Sequence, residues 1–180
     1  MKLIVLSGPG GVGKSTVISY LRANESNIWV SVSATTRSPR AGEVDGVDYY
    51  FLSNSEFDAW ISEDKFLEWA DFAGARYGTP KQFVNEHLES GNSVLLELEI
   101  SGARQVRAKN PKALLVFLAP PSWEELEERL FKRGTDSEER RLARLALARA
   151  EMAAQGEFDL ILINTSVEEV AQRLISLALD

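Results

Sequence analysis

Apolar and polar residues follow two regimes along the chain. Residues 3–7, 113–118 and 160–163 are apolar runs of strand length, 93–100 begins as one, and 28–33 reads as a second strand. Continuous runs of this kind predict strands buried on both faces, as in parallel sheets. Stretches with helical character follow them. One begins at the end of a glycine-rich loop near residue 14, one covers 102–109 and stops before Pro111, and one starts at Ser122 with Glu125 three residues on and runs to about Arg133, where Gly134 ends it. Asp136 is placed to cap another over 137–155, and 166–178 is a last amphipathic helix. Strand–helix alternation at both ends of the chain predicts an α/β fold, a parallel sheet with helices on both faces.

Residues 34–92 break this rhythm. Residues 49–52 form a short strand, and Ser53 followed by Glu56 is a capping box for a helix over 54–62. Strands over 66–72 and 76–78 flank a turn at Gly74. Thr79 as N-cap and Pro80 at the first position then open a helix that Gly91 closes. Short strands, aromatics and turn residues predict a small mixed α/β lobe inserted into the parallel core. The stretch 132–150, rich in arginine and poor in large apolar side chains, predicts a mobile segment.

The first strand leads into Gly8-Pro9-Gly10-Gly11-Val12-Gly13-Lys14-Ser15, followed by Thr16. Gly8, Gly13, Lys14 and Ser15 satisfy G-x-x-x-x-G-K-[ST], the phosphate-binding loop. Glycines let the backbone turn tightly and aim its N–H groups at phosphate oxygens. The helix that begins there adds unpaired donors and the positive end of its dipole. Lys14 is the type and position that reaches β- and γ-phosphates, and the Ser15 hydroxyl is a ligand for Mg²⁺.

Composition narrows the partners. The chain has 180 residues, a net charge of −7 and no cysteine. One domain with a sizeable core fits this length. An acidic surface argues against nucleic-acid polymers and anionic membranes, so anionic ligands must be met by local basic clusters. Disulfide and thiol chemistry are excluded. The apolar run at 3–7 is too short for a secretory core and no stretch approaches a membrane span, so the expected setting is cytoplasmic.

Three groupings stand beside the loop. Glu97 and Glu99 end a core strand, where an acid can order Mg²⁺ and its waters, or simply meet solvent. Arginines fall into two sets: Arg37 and Arg40 on the lobe, and Arg129, Arg133, Arg140, Arg141, Arg144 and Arg149 with Lys132 on the later helices. Guanidinium groups match phosphate oxygens bidentately. A solvated helix face with ion pairs such as Glu125–Arg129 accounts for part of the second set, Arg140, Arg141 and Arg149 above all, but not for Arg37 and Arg40, which have no helix to decorate. The lobe also offers Ser33, Glu68, Tyr49, Tyr77 and Thr79. A carboxylate with hydroxyls suits a base that presents N–H donors, as guanine does; the tyrosines serve equally as lobe core. His87 reads as surface or packing, and Trp29, Trp60, Trp69 and Trp123 as packing.

The segment from Ser33 to Tyr49, Ser-Ala-Thr-Thr-Arg-Ser-Pro-Arg-Ala-Gly-Glu-Val-Asp-Gly-Val-Asp-Tyr, resembles the guanylate kinase signature. So do Phe66-Leu67-Glu68-Trp69-Ala70, Tyr77-Gly78-Thr79-Pro80, Gly102-Ala103-Arg104-Gln105-Val106, Pro120-Pro121-Ser122 and Arg133-Gly134-Thr135-Asp136, in order over nearly the whole chain. The resemblance implies a P-loop NTPase-type core (1–31, 93–131 and 151–180), a GMP-binding lobe (32–92) and a helical lid (132–150). It implies transfer of the γ-phosphoryl of ATP to GMP, with Mg²⁺, in purine nucleotide metabolism. By position, Arg37, Arg40, Tyr49 and Tyr77 hold the GMP phosphate, and Ser33, Glu68 and Thr79 read guanine with Glu97 nearby. Lys14, Arg37, Arg129, Arg133 and Arg144 neutralise the moving phosphoryl group. Residues 8–16 hold ATP with Arg133, Asn164 lies near adenine, and Ser15 with Glu99, through water, holds the metal. Other outcomes are a P-loop kinase of a different small phosphorylated acceptor, or a non-catalytic binding module. The chain departs from the family at Gly10, where serine is common, at Glu99 and Ser101 (aspartate and glutamine), at Ala75-Arg76 (asparagine and an aromatic) and at Thr165 (aspartate).

Overall fold

The computed structural model describes residues 1–24, 27–131 and 138–179. Five parallel strands form the core sheet: β1 (Leu3–Ser7), β2 (Ile28–Val30), β7 (Ser93–Glu97), β8 (Leu114–Ala119) and β9 (Leu160–Ile163), in the order β2-β7-β1-β8-β9. Register is continuous: Ile4 lies beside Leu95 and Leu114, and Val116 beside Leu160. Successive side chains of a strand point to opposite faces, which divides the core. Ile4 and Leu6 of β1 join Leu95, Val116 and Leu118 beneath α1 (Lys14–Asn24), α5 (Trp123–Phe131) and α7 (Val167–Leu179). Leu3 and Val5 join Val94, Leu96 and Leu115 beneath α3 (Lys81–Glu89) and α4 (Ile100–Lys109). The α/β core with helices on both faces is as the strand–helix alternation predicts.

The second sheet has the order β4-β3-β6-β5, built from β3 (Ala34–Thr35), β4 (Tyr50–Phe51), β5 (Phe66–Phe72) and β6 (Ala75–Pro80). The hairpin β5–β6 turns at Ala73 and Gly74, both with positive φ. Helix α2 (Asn54–Ser62) starts from the complete Ser53/Glu56 capping box and drops Phe57 into a core with Ala34 and Phe66, flanked by Trp60 and Trp69. Helix α4 ties the lobe to the core. Gln105 donates to the Trp69 carbonyl (2.8 Å) and accepts from the Trp69 N–H (3.2 Å), while Lys109 Nζ donates to the Phe66 carbonyl (3.1 Å). Helix α6 (Glu138–Ala153) packs against α5 and leads through a 3-10 turn (Ala154–Glu157) to β9.

Four local expectations are corrected. Thr79 does not cap α3: it stays in β6, its hydroxyl donates to Glu68, and Pro80 stands at the N-cap without a side-chain bond. The strand predicted over 93–100 ends at Glu97, because Glu99 is the N-cap of α4 and Ile100 its first residue. The strand predicted over 28–33 ends at Val30, and pairing resumes in the lobe at Ala34. Strand β9 is a sheet edge rather than a buried strand, which leaves Ile161 and Ile163 exposed. The expected helix stop at Gly134 and cap at Asp136 lie outside the described residues. Trp29 packs in parallel against His87, ring centroids 4.0 Å apart, and Trp60 and Trp69 pack in the lobe, as expected. Among the described residues no helix is long and apolar enough to cross a membrane.

Phe57 is fully buried whereas Phe72 is 53% exposed. Phe57→Ala is expected to cost about 3–5 kcal/mol in urea unfolding, and Phe72→Ala less than about 1 kcal/mol.

Candidate active site

The loop is seated by the sheet beneath it. Gly8 has φ +148°, and a Cβ there would stand 2.3 Å from the Leu118 carbonyl oxygen of β8, so only glycine lets β1 turn this close to its neighbour. Buried Asn164, just past β9, donates Nδ2 to the Val12 carbonyl (2.7 Å). Val12 is fully buried and its N–H donates to the Pro9 carbonyl, so its side chain anchors the loop from below. The Thr16 and Val17 N–H groups donate to the Gly13 carbonyl, the first turn of α1. Lys14 is 7% exposed, with Nζ donating to the Gly8 (2.6 Å) and Pro9 (3.4 Å) carbonyls. Its ammonium is held over the loop, ready to exchange a carbonyl for an anionic oxygen.

A cleft of about 510 Å³ lies between the C-terminal edge of the core sheet and the lobe. It gathers Ser15, Ser33, Arg37, Arg40, Tyr49, Glu68, Tyr77, Glu97 and Glu99. Arg37 forms a two-pronged pair with Glu43, both bonds 2.9 Å, and also donates to the Ser38 carbonyl. Its guanidinium lies 5.3 Å from the Tyr49 ring centre and 5.8 Å from that of Phe51. The Glu43 bond raises Arg37 further above its already high value, so it is a permanent cation. In return Arg37, then the Arg40 N–H (2.7 Å), lowers the Glu43 carboxyl. Burial raises Tyr49, keeping it a neutral hydroxyl.

Deeper in the cleft, Thr79 Oγ1 donates to Glu68 Oε1 at 2.6 Å, and Glu68 is 5% exposed. A Cβ on Gly102 of α4 would stand 2.8 Å from Glu68 Oε2, so the helix leaves room for this carboxylate. Burial raises the Glu68 carboxyl above 4.5, opposed by the Thr79 bonds. Glu97 accepts from Ser15 Oγ (3.1 Å), and burial raises it too, against the pull of Lys14.

A second cavity, about 240 Å³, opens on the other side of the loop and is lined by Gly10, Gly11, Glu99, Arg129, Arg144 and Glu151, among others. Arg129 donates to the Val12 carbonyl (3.3 Å) and to Glu125 (3.1 Å). Glu151 Oε2 accepts from the Gly10 N–H at 3.0 Å; burial raises its carboxyl, and contact with Glu99 adds to the rise. Arg133 lies outside the described residues. Arg141 and Arg149 are exposed, as the solvated-face reading expects, and in addition lie over the Phe131 (4.2 Å) and Trp123 (5.0 Å) rings of α5.

Two residues escape a sequence reading. Glu43, three positions after Arg40 in a turn, has a spacing that hints at local pairing. Glu151 lies 141 residues from its partner, and nothing in the sequence brings the two together.

Glu68, Glu97 and Glu151 all bind protons more tightly folded than unfolded, so each costs stability as pH rises through its raised value. The thermal midpoint of the unligated protein should therefore increase as pH is lowered through the raised range of these carboxyls toward the ordinary carboxyl range. It should fall again below the ordinary carboxyl range, where Glu43 and Asp64, both lowered by their cation partners, take up protons. Glu68→Gln should flatten the first slope in a calorimetric pH series.

A glycine cradle with a lysine stands beside an arginine-lined cleft that holds a buried carboxylate, and known proteins resemble this chain along its length. The sequence model for guanylate kinase matches residues 1–178. A guanylate kinase of Thermobifida fusca is 58% identical over 176 residues, covering 98% of this chain and 90% of that protein. One from Streptomyces coelicolor is 57% identical over 98% of this chain and 89% of its own length. The crystal structure of guanylate kinase from Anaplasma phagocytophilum superimposes with a TM-score of 0.77 at 31% identity, over 98% of this chain and 84% of that one. With the loop, the lobe and the cleft between them matched along essentially its full length, the chain belongs to the guanylate kinase family.

Proposed function

We propose that the chain catalyses ATP + GMP → ADP + GDP with the substrates divided between the two sides of the loop: GMP in the 510 Å³ cleft, ATP along residues 8–16 toward the smaller cavity. The observation that carries this reading is the co-location, in one cleft, of a permanent arginine cation and a buried carboxylate. Arg37, Arg40, Tyr49 and Tyr77 supply donors for the GMP phosphate. Glu68, with Ser33 and Thr79, faces the N1–H and N2–H donors of guanine; adenine presents an acceptor at N1 and would meet a carboxylate unfavourably.

Lys14, with Arg37 on one side and Arg129 and Arg144 on the other, surrounds the path of the phosphoryl group. Arg133 belongs to this set by sequence position. In such a transfer the protein mainly positions the reactants and neutralises charge, and no covalent intermediate is required. Asn164 supports ATP through the loop it holds. The oxygens near the loop, Ser15 Oγ beside the Glu97 carboxylate with Glu99 close by, are the hard donors that suit Mg²⁺. Ser15, and Glu99 through water, would hold such an ion, which would supply neutralisation of phosphate charge. The lobe and helix α6, the described part of the lid, close over both nucleotides and exclude water. The setting is cytoplasmic, where both nucleotides are found.

A coupled ADP-release assay over a panel of acceptors tests the assignment: fast turnover on GMP and little on AMP, CMP or UMP is expected. Preference for another acceptor, or no GMP-dependent ADP release, would overturn it. Because Glu68 has to be ionised to accept guanine's protons, and burial raises its carboxyl, the KM for GMP should rise as pH is lowered from neutrality toward that raised range. Glu68→Gln should raise this KM by about tenfold or more and remove most of its pH dependence.

A further inference from the structure

Helix α6 presents one face to the phosphate loop. Arg144, Leu147, Ala148 and Glu151 follow helical spacing and line the same small cavity as Gly10 and Gly11. Ala148 is buried and fixes the helix against the core. At the end of this face the Glu151 carboxylate accepts the Gly10 N–H at 3.0 Å. That donor belongs to the cradle, and the cradle around it is open: a Cβ on Gly10 would meet nothing within 4 Å.

We propose that Glu151 is a positioning residue that stands in for a phosphate oxygen. It holds the Gly10 N–H oriented while the loop has no nucleotide, and an incoming nucleotide phosphate takes the donor from it. This inference rests on the reading that residues 8–16 hold the phosphates of ATP. A carboxylate and a phosphate carry like charge and seek the same N–H, so they cannot share it. Displacement frees the end of α6 that carries Glu151, while Arg144, two turns earlier on the same face, is attracted by the new anion. One side chain thus opposes nucleotide entry and its neighbour favours it, which couples occupancy of the loop to the position of α6. The cost falls on ligands that bear phosphate and spares those that do not.

Calorimetric titration of ADP, ATP and adenosine into the full-length wild type, Glu151→Ala and Glu151→Gln tests this. With the competitor removed, Glu151→Ala should bind ADP and ATP about three- to tenfold more tightly, the scale of one charge-assisted hydrogen bond exchanged. Glu151→Gln keeps an amide oxygen for Gly10 without the charge and should show a smaller gain. Because it is isosteric, it carries the test alone should the alanine variant fail to fold. Adenosine affinity should be unchanged in both. Nucleotide affinity that is unchanged or weaker, or an equal gain for adenosine, would overturn the proposal. A wild type that binds neither ATP nor ADP would instead refute the loop's role as an ATP site.

Discussion

A chain of net charge −7 can hold two phosphate esters end to end only if its cations and backbone donors are gathered at one edge of the sheet and kept from collapsing onto its many carboxylates. The structure gives each of these donors a partner, which under the proposed function a phosphate oxygen would replace. Arg37 is held by Glu43, Ser15 by Glu97, the Gly10 N–H by Glu151, Arg129 by Glu125 and the Val12 carbonyl, and Lys14 by the carbonyls of its own loop. Each contact orients a donor, and each is of a kind that a phosphate oxygen can replace. Preorganisation of this sort lowers the ordering cost of binding, at the expense of an exchange of partners when the ligand arrives.

The fold supplies the geometry for that arrangement. Parallel strands put the ends of β1 and β7 side by side, so the loop after Ser7 and the carboxylate of Glu97 meet without any long connection. Helix α4 then carries the lobe, through Gln105 and Lys109 on β5, and leaves at Gly102 the space that Glu68 fills. The lobe's own core of Phe57, Phe66 and Trp69 keeps the hairpin rigid enough to present Glu68 and Tyr77 to the cleft. A departure from the family pattern is absorbed here as well: Arg76 pairs with Asp58, bonds Asn54 and lies 4.8 Å from the Phe57 ring centre, so it pins α2 to β6.

The parts legible in the sequence were those with local causes. Apolar runs marked the core strands, the Ser53/Glu56 pair marked the start of α2, and the glycine spacing marked the loop. The misread parts were decided by partners distant in sequence. Thr79-Pro80 has the chemistry of a helix start, but the Thr79 hydroxyl is taken by Glu68 across the hairpin. The run 160–163 looks fully buried, yet strand order places it at an edge. Arg37 and Glu68 were legible through motif; Glu43 pairs within its own turn and could have been found from its spacing, whereas Glu151, whose partner lies 141 residues away, is placed by tertiary packing alone.

The central claim is that Lys14 and Arg37 act on one continuous chain of phosphates. A crystal structure of the protein with a linked adenosine–guanosine polyphosphate tests it most directly. Lys14 Nζ is expected to have moved from the Gly8 and Pro9 carbonyls to a phosphate oxygen, with Arg37 on the phosphate nearest guanosine and Glu68 against its base. A complex with Lys14 still on those carbonyls, or with guanosine bound away from Glu68, would contradict it.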